Sequence, residues 1–99
     1  MNITNLSIII ASNLKNISRK WIDQINNYSA AGIYIIICIP PKNSLYKTYK
    51  MGFTKKICIV NSDLIGQVNQ RQFAARLCKT EFLLQMDDDI YFDLESINK

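Results

Sequence analysis

Four short apolar runs, separated by segments of helix length, constrain the fold of this chain more than any other feature. The runs comprise residues 6–11, 33–39, 56–60 and 81–86. Continuous apolar runs rich in β-branched residues are typical of strands buried on both faces of a parallel sheet. Parallel strands need crossover connections, which are usually helices. The sequence therefore predicts an α/β fold with a mostly parallel sheet of about four strands and helices on both faces.

Two amphipathic helices are predicted between these strands. The first runs from about Asn16 to Gly32 and carries an apolar stripe with three- and four-residue spacing. The stripe consists of Ile17, Trp21, Ile25 and Tyr28. The second begins at Gly66, and its i,i+4 neighbours predict an apolar face. These neighbours are Phe73 with Leu77 and Ala74 with Cys78.

Length and composition fit one small globular domain spanning residues 1–99. The chain is 48% hydrophobic and 20% charged, which is ordinary for a folded domain. Its longest apolar stretch, Ile33 to Pro41, is about half of the ~20 residues that a membrane-spanning helix needs. The N-terminus also lacks the basic residues that open a signal peptide. We therefore expect a cytoplasmic protein without a transmembrane segment.

Cysteine and histidine usage narrows the chemistry. The three cysteines form no CxxC pair, and the chain contains no histidine, so neither a structural zinc site nor a disulfide framework is indicated. We expect buried, reduced thiols at Cys38, Cys58 and Cys78. Without an imidazole, Ser/His/Asp and Cys/His nucleophiles are excluded, and acid–base chemistry must use carboxylates or lysine.

Charge is divided unevenly along the chain. Residues 1–80 carry eleven Lys and Arg against two Asp, a net charge of +9, whereas residues 81–99 carry six acids against one Lys, a net charge of −5. The two parts sum to the overall +4. Such a division suits nucleic-acid binding, and it equally suits an anionic small ligand with a metal cation held by the acidic cluster.

Three aspartates, Asp87, Asp88 and Asp89, directly follow the fourth strand. Carboxylates crowded at a strand end repel one another unless a cation or water relieves them. Because side chains alternate along an extended chain, Asp87 and Asp89 could converge on one ion. Oxygen ligands favour Mg²⁺ or Mn²⁺, whose shell is usually completed by water and substrate phosphates. A diphosphate substrate is predicted, and a solvated acidic turn is the alternative.

The segment from Gly66 to Asp89 carries a spaced set of glycine, basic and acidic residues. This set is Gly66, Arg71, Lys79, Glu81, Asp87 and Asp89. It resembles, without a gap, the third-helix and DxD region of the family 2 glycosyltransferases, which have the Rossmann-like, three-layer GT-A fold. The first strand and Ser12 are compatible with the family's first strand and nucleotide-binding turn. The resemblance extends from Ser7 to about Phe92.

The sequence departs from the family pattern at three places. Ala11-Ser12-Asn13 stands where the family usually has Pro-Thr-aromatic, and residues 38–41 lack the acid that commonly follows strand two to meet the base. Thr80 replaces the usual glycine after the helix. A left-handed conformation there would cost a β-branched residue ~1 kcal/mol.

The resemblance implies a bound nucleotide-diphospho-sugar, most simply a UDP-sugar, over the strand ends. Ser12 would lie near the base or ribose, Arg71 and Asp88 would contact the nucleotide-sugar, Asp87 would approach the ribose and the metal, and Asp89 would be a metal ligand. The metal would be Mn²⁺ or Mg²⁺. The implied activity is sugar transfer to a hydroxyl of a sugar or glycan acceptor, as in polysaccharide biosynthesis.

The same resemblance implies an incomplete enzyme. An inverting transferase needs a carboxylate general base, and in this family the base and the acceptor half follow the DxD motif. We therefore expect the catalytic base beyond Lys99, with residues 1–99 forming a partial, nucleotide-sugar-binding domain that is inactive alone. An exposed sheet edge would favour self-association or pairing with a missing C-terminal half. Peripheral membrane association is left open.

A non-catalytic nucleotide- or nucleic-acid-binding α/β module is the competing prediction. The segment from Lys42 to Lys56 contains five lysines interleaved with Tyr46, Tyr49 and Phe53, which suits phosphate contacts and base stacking. A solvated loop explains the same residues, and no nucleic-acid partner is expected. Salt-dependent RNA or DNA binding that is unchanged by Asp89→Asn would favour this module.

Two other phosphate-handling classes fit the sequence less well. The segment from Gly66 to Phe73 lacks the second glycine and the lysine of a P-loop. A phosphoaspartyl receiver-like domain usually has its nucleophile on an early or central strand and a lysine downstream. Only Lys99 follows Asp89.

Overall fold

A sheet of parallel strands forms the centre of the fold. The computed structural model describes residues 5–15, 17–41 and 52–88. The strands are β1 (Leu6–Ala11), β2 (Tyr34–Ile39), β3 (Cys58–Asn61) and β4 (Phe82–Met86), in the spatial order β3-β2-β1-β4. Each pairing is parallel. The predicted α/β fold is confirmed.

Strand β1 occupies the interior of the sheet and fixes which chain segments meet at its carboxyl edge. Ala11, its last residue, pairs with Cys38 of β2, and Ile10 pairs with Met86 of β4. The carboxyl ends of parallel strands lie at one edge, where α/β proteins bind their ligands. The residues that follow β1, β2 and β4 are therefore neighbours.

The first helix, α1 (Arg19–Ala30), begins at a side-chain cap. Ser18 has an extended backbone, and its Oγ accepts a hydrogen bond from the backbone N of Trp21 at 3.1 Å. This bond satisfies one of the amides that have no partner in the first helical turn. The cap sets the start at Arg19, so Ile17, the first residue of the predicted stripe, precedes the helix. The predicted start at Asn16 lies outside the described residues.

Gly32 ends α1 as predicted. Its φ of 100° is left-handed and favours glycine. The backbone N of Gly32 donates to Ser29 O at 3.1 Å, and the backbone N of Ile33 donates to Tyr28 O at 3.2 Å. These two bonds form a Schellman motif that satisfies the last helical carbonyls. The chain then enters β2 directly.

The two helices cover opposite faces of the sheet. Helix α1 buries Trp21, Ile25 and Tyr28 in the larger core cluster. The sheet contributes Ile8, Ile10, Ile35, Ile37 and Ile39 to that cluster. Helix α2 (Gln67–Leu77) covers the other face, where a smaller cluster comprises Ile9, Ile36, Cys38 and Ala74. Alternating strand residues thus serve alternate layers, which gives the predicted three-layer arrangement.

Helix α2 differs from the predicted apolar face. Ala74 is buried as expected and Phe73 is partly buried, but Leu77 is 40% exposed. The second fully buried side chain of this helix is the polar Gln70. Gly66 precedes the helix with a φ of 114° and no capping side chain. The buried face of α2 is therefore partly polar.

The cysteines are free thiols in three different environments. Cys38 is buried and Cys78 is partly buried, whereas Cys58 is exposed. The expectation of burial is wrong for Cys58 because it begins β3, an edge strand, whereas α2 packs against β1 and β2. Burial raises the pKa of the Cys78 thiol and raises that of Cys38 to about 11, with Asp63 and Cys58 adding to the latter.

The raised pKa of Cys38 predicts a loss of stability in alkaline solution. The folded protein holds this proton to about pH 11, whereas the ordinary thiol pKa is 9.0. The resulting stabilisation is complete below pH 9 and is lost as the pH rises towards 11. Between pH 9 and pH 11, the free energy of unfolding measured in urea should fall by about 2 kcal/mol more for wild type than for Cys38→Ala. An unchanged difference between the two proteins would contradict this prediction.

Strand β4 is an edge of the described sheet. Phe82 and Leu83, whose side chains point to opposite faces, are 39% and 43% exposed. Strands of parallel sheets are usually covered on both faces. An exposed apolar edge is the feature that predicts self-association or pairing with a further segment. The association itself stays a prediction.

Neither helix that the structure describes combines the length and the apolar composition of a membrane span.

Candidate functional site

The carboxyl edge of the sheet brings Ser12, Asp87 and Asp88 together. Ser12 follows β1, and the two aspartates follow β4. The two strands are hydrogen-bonded neighbours, although Ser12 and Asp88 are 76 positions apart in the sequence. The topology therefore assembles three of the sequence-predicted site residues. Asp89 lies outside the described residues.

Ser12 orients its hydroxyl towards Asp88. Its Oγ accepts a hydrogen bond from the backbone N of Leu14 at 2.9 Å and donates to Asp88 Oδ2 at 2.7 Å. A hydroxyl has one proton, so the amide contact leaves that proton for the carboxylate. Ser12 is only 3% exposed, which keeps water from competing for this geometry.

The turn after Ser12 is locally strained. Leu14 has a φ of 60° and is the one non-glycine residue of the described chain in the left-handed region. Such a conformation is uncommon for a bulky residue and persists only when its surroundings enforce it. The Leu14 side chain is buried, and its backbone N–H donates a hydrogen bond to Ser12 Oγ. These two contacts hold the residue in this conformation. Strain of this kind is concentrated at functional sites.

Arg71 of α2 binds the first aspartate. Its Nη2 lies 2.7 Å from Asp87 Oδ1, a short charge-assisted hydrogen bond. The Arg71 side chain is 33% exposed and that of Asp87 is 54% exposed. The pair is therefore accessible to an incoming anion or cation. The structure thus places Arg71, the fourth described candidate, at the same edge.

Gln70 is a site residue that the sequence argument missed. Its Nε2 donates to Cys38 O at 2.8 Å and lies 3.4 Å from Ser12 O. The side chain therefore joins α2 to the carboxyl ends of β1 and β2. The signal was available, because Gln70 precedes the buried Ala74 by one helical turn and so shares its sheet-facing side.

An acid is present near the end of β2 despite its absence from residues 38–41. Asp63 follows β3, and its charge contributes to the raised pKa of the Cys38 thiol. Its Oδ2 lies 3.9 Å from Arg76 Nη2. The neighbouring Asn61 donates from Nδ2 to Pro40 O at 2.8 Å. The carboxylate near the end of β2 therefore comes from the turn after β3.

Thr80 does not adopt the left-handed conformation that a glycine would permit. Its Oγ1 donates to Phe82 O at 2.9 Å and lies 2.7 Å from Ser7 Oγ, so Ser7 donates to it. Hydrogen bonds replace the expected strain of ~1 kcal/mol at this turn. The threonine therefore fits a different local geometry from the one that glycine serves.

Lys79 and Glu81, two further residues of the resemblance, lie at the opposite edge of the sheet. Glu81 Oε2 accepts from Asn5 Nδ2 at 2.8 Å, and the Glu81 backbone N donates to Asn5 Oδ1 at 3.0 Å. This reciprocal pair joins the starts of β1 and β4. The structure supports an architectural role for Glu81 rather than a ligand contact.

The described part of the site has the oxygen donors that suit Mg²⁺ or Mn²⁺. Asp87 and Asp88 offer carboxylates, and the chain contains no histidine that would favour a softer ion. Within residues 5–15, 17–41 and 52–88, no three acidic, cysteine or histidine side chains cluster as a metal site. Carboxylate oxygens are the kind of donor with which these ions combine water and phosphate oxygens.

A cavity of about 590 Å³ lies at the amino edge of the sheet, away from these residues. Its lining includes Ser7, Tyr34, Cys58, Cys78 and Thr80. Lys79 also lines it, but Ser12, Arg71, Asp87 and Asp88 do not, so we take the carboxyl edge as the candidate site.

Comparison of the sequence with protein-family models and with curated proteins, and of the structure with solved structures, finds no significant match.

Proposed function

We propose that this chain forms the donor-binding half of a metal-assisted glycosyltransferase that uses a nucleotide-diphospho-sugar. The observation that carries the proposal is the pairing of Ser12 with Asp88 beside the pairing of Arg71 with Asp87. Both lie at the ligand-binding edge of a parallel sheet. Three of the four residues, Arg71, Asp87 and Asp88, belong to the segment whose spacing resembles the GT-A DxD region.

Each described residue has a chemical task in this proposal. Arg71 presents a planar guanidinium, whose donors match phosphate oxygens. The buried Ser12 hydroxyl holds Asp88, whose carboxylate oxygens can accept hydrogen bonds from ribose or sugar hydroxyls. Asp87, half exposed, is shared between Arg71 and the cation. Asp89 contributes a further ligand.

The metal, when bound, neutralises the developing charge of the diphosphate leaving group. Arg71 adds a second positive charge near the diphosphate, and the carboxylates orient the nucleotide-sugar donor. The sugar or glycan acceptor and the general base are not assigned to any described residue. A cytoplasmic location is part of the proposal, because three free thiols are typical of a reducing compartment.

Calorimetric titration with UDP, in the presence and absence of Mn²⁺, tests the proposal. UDP should bind only with Mn²⁺, and Asp87→Asn or Asp89→Asn should weaken binding by at least about tenfold, because each loses a charged ligand. Asp23→Asn is the matched control, since Asp23 pairs with Arg19 on the exposed surface of α1.

Two results would contradict the proposal. One is that a folded protein shows no Mn²⁺-dependent UDP binding. The other is equal weakening by all three substitutions, which would indicate a general charge effect. Tight, salt-dependent RNA binding whose affinity is unchanged by Asp89→Asn would instead support the nucleic-acid-binding alternative.

A further inference from the structure

We propose that Gln70 is a positioning residue of this site, which holds Ser12, and through it Asp88, in the geometry that binds the metal and nucleotide diphosphate. The inference rests on the proposed function. The hydrogen bonds of the Gln70 side chain go to the backbone of Ser12 and Cys38, so its effect on Asp88 passes through the strand ends. The contacts that transmit it form a continuous series from α2 to the turn after β4.

The first contacts fix the orientation of the Gln70 amide. The side chain belongs to a residue only 4% exposed, and its Nε2 faces Cys38 O at 2.8 Å and Ser12 O at 3.4 Å. Both neighbours are carbonyl oxygens that can only accept, so the NH₂ group must face them. Gln70 is therefore a donor here, and a side chain without donors would leave these buried carbonyls with fewer partners.

Ser12 passes this restraint to Asp88. Its backbone N donates to Cys38 O at 3.1 Å, so Gln70 and Ser12 share one acceptor. Its Oγ is held by the Leu14 amide and donates to Asp88 Oδ2 at 2.7 Å. The backbone and the hydroxyl of Ser12 are thus both fixed, and its proton is directed at one carboxylate oxygen.

Neighbouring residues of α2 reach neighbouring residues after β4. Arg71 contacts Asp87 directly, and Gln70 reaches Asp88 through Ser12. These two connections hold both carboxylates relative to the same helix. A displacement of Ser12 would change their relative geometry. Loss of outer partners of metal-site residues commonly weakens metal affinity 10–100-fold, and we expect about tenfold here because the contact is indirect.

Titration of Gln70→Met with Mn²⁺ and UDP tests this role, with Gln72→Met as the matched control. Methionine retains the length of glutamine and removes its donors, while Gln72 is exposed on the same helix. We expect about tenfold weaker UDP binding for Gln70→Met and no change for Gln72→Met. Urea unfolding establishes that each variant is folded at the titration temperature.

A second background separates positioning from packing. In Ser12→Ala the hydroxyl that transmits the restraint is absent, so adding Gln70→Met should not weaken UDP binding further. Equal weakening by Gln70→Met in both backgrounds would indicate a packing role and overturn the inference. Unchanged UDP affinity of a folded Gln70→Met variant in the wild-type background would also overturn it.

Hydrogen exchange of the Leu14 amide gives a measurement that needs no ligand. This N–H donates to Ser12 Oγ, so its exchange should accelerate in Gln70→Met and stay unchanged in Gln72→Met. If wild type binds no UDP, the proposed function fails, and this exchange rate alone decides the role of Gln70. Acceleration would then support the positioning of Ser12, whereas an unchanged rate would overturn it.

Discussion

Replacement of Arg71 by methionine should weaken Mn²⁺-dependent UDP binding by about 30-fold, or ~2 kcal/mol, because a charge-assisted contact to phosphate is lost. The same substitution should tighten the binding of Mn²⁺ alone by about fivefold. The guanidinium now lies 2.7 Å from Asp87 Oδ1, and its removal relieves a repulsion of ~1 kcal/mol on a cation at that solvent-exposed carboxylate. Calorimetry with each ligand measures both effects.

Arg76→Met is the control for this prediction. Arg76 lies on the same helix, and its guanidinium is 3.9 Å from Asp63 and over the ring of Phe73. It carries the same charge but forms no ion pair with Asp87 or Asp88, the described aspartates after β4. Equal losses of UDP affinity for the two variants would show that only the overall positive charge matters. Weaker binding of Mn²⁺ alone to Arg71→Met would contradict the competition at Asp87.

Replacement of Trp21 by alanine should lower the free energy of unfolding by about 4 kcal/mol, since a fully buried ring leaves a large cavity. Trp21 is 1% exposed, and its ring packs edge-on against Phe53 with 6.1 Å between the ring centroids. Trp21→Phe should cost only about 1 kcal/mol. The indole Nε1 has no hydrogen-bond partner within the described part of the chain, so its removal offsets part of the lost packing.

Urea unfolding followed by far-UV circular dichroism measures both Trp21 variants without relying on the indole. Tyr34→Ala serves as control, because this side chain is 60% exposed and its loss should change stability by no more than about 0.5 kcal/mol. A Trp21→Phe loss as large as that of Trp21→Ala would indicate that Nε1 has a partner in solution. A small effect of Trp21→Ala would place the ring outside the core.

The fold was largely predictable because its periodic signals are strong. The run of residues 33–39 is too apolar for a half-exposed strand, and a helix stripe must face the sheet. The boundaries were less accurate, because they depend on single hydrogen bonds such as the one from the Trp21 amide to Ser18 Oγ. The exposure of Leu77 was missed, because an i,i+4 spacing identifies a helix face without stating which strand lies beneath it.

For the candidate site, the sequence predicts the edge of the sheet at which it lies but not the contacts between its side chains. Parallel topology implies that Ser12 and the aspartates approach one another, but the sequence does not state which aspartate accepts the Ser12 hydroxyl. The structure selects Asp88 for Ser12 and Asp87 for Arg71. Gln70 was overlooked because polar residues of helices are usually solvated. Its role emerges only when the sheet places two carbonyl acceptors beneath it.

The interior position of β1 has a consequence for the order of folding. Strand β2 follows β1 after one helix, whereas the contact between Ser12 and Asp88 closes a separation of 76 residues. Closing long loops costs more chain entropy, and non-local pairings slow folding. We therefore expect one side of β1 to stay unpaired during synthesis until β4 arrives. The candidate site is then completed only when β4 joins the sheet, because Asp87 and Asp88 directly follow that strand.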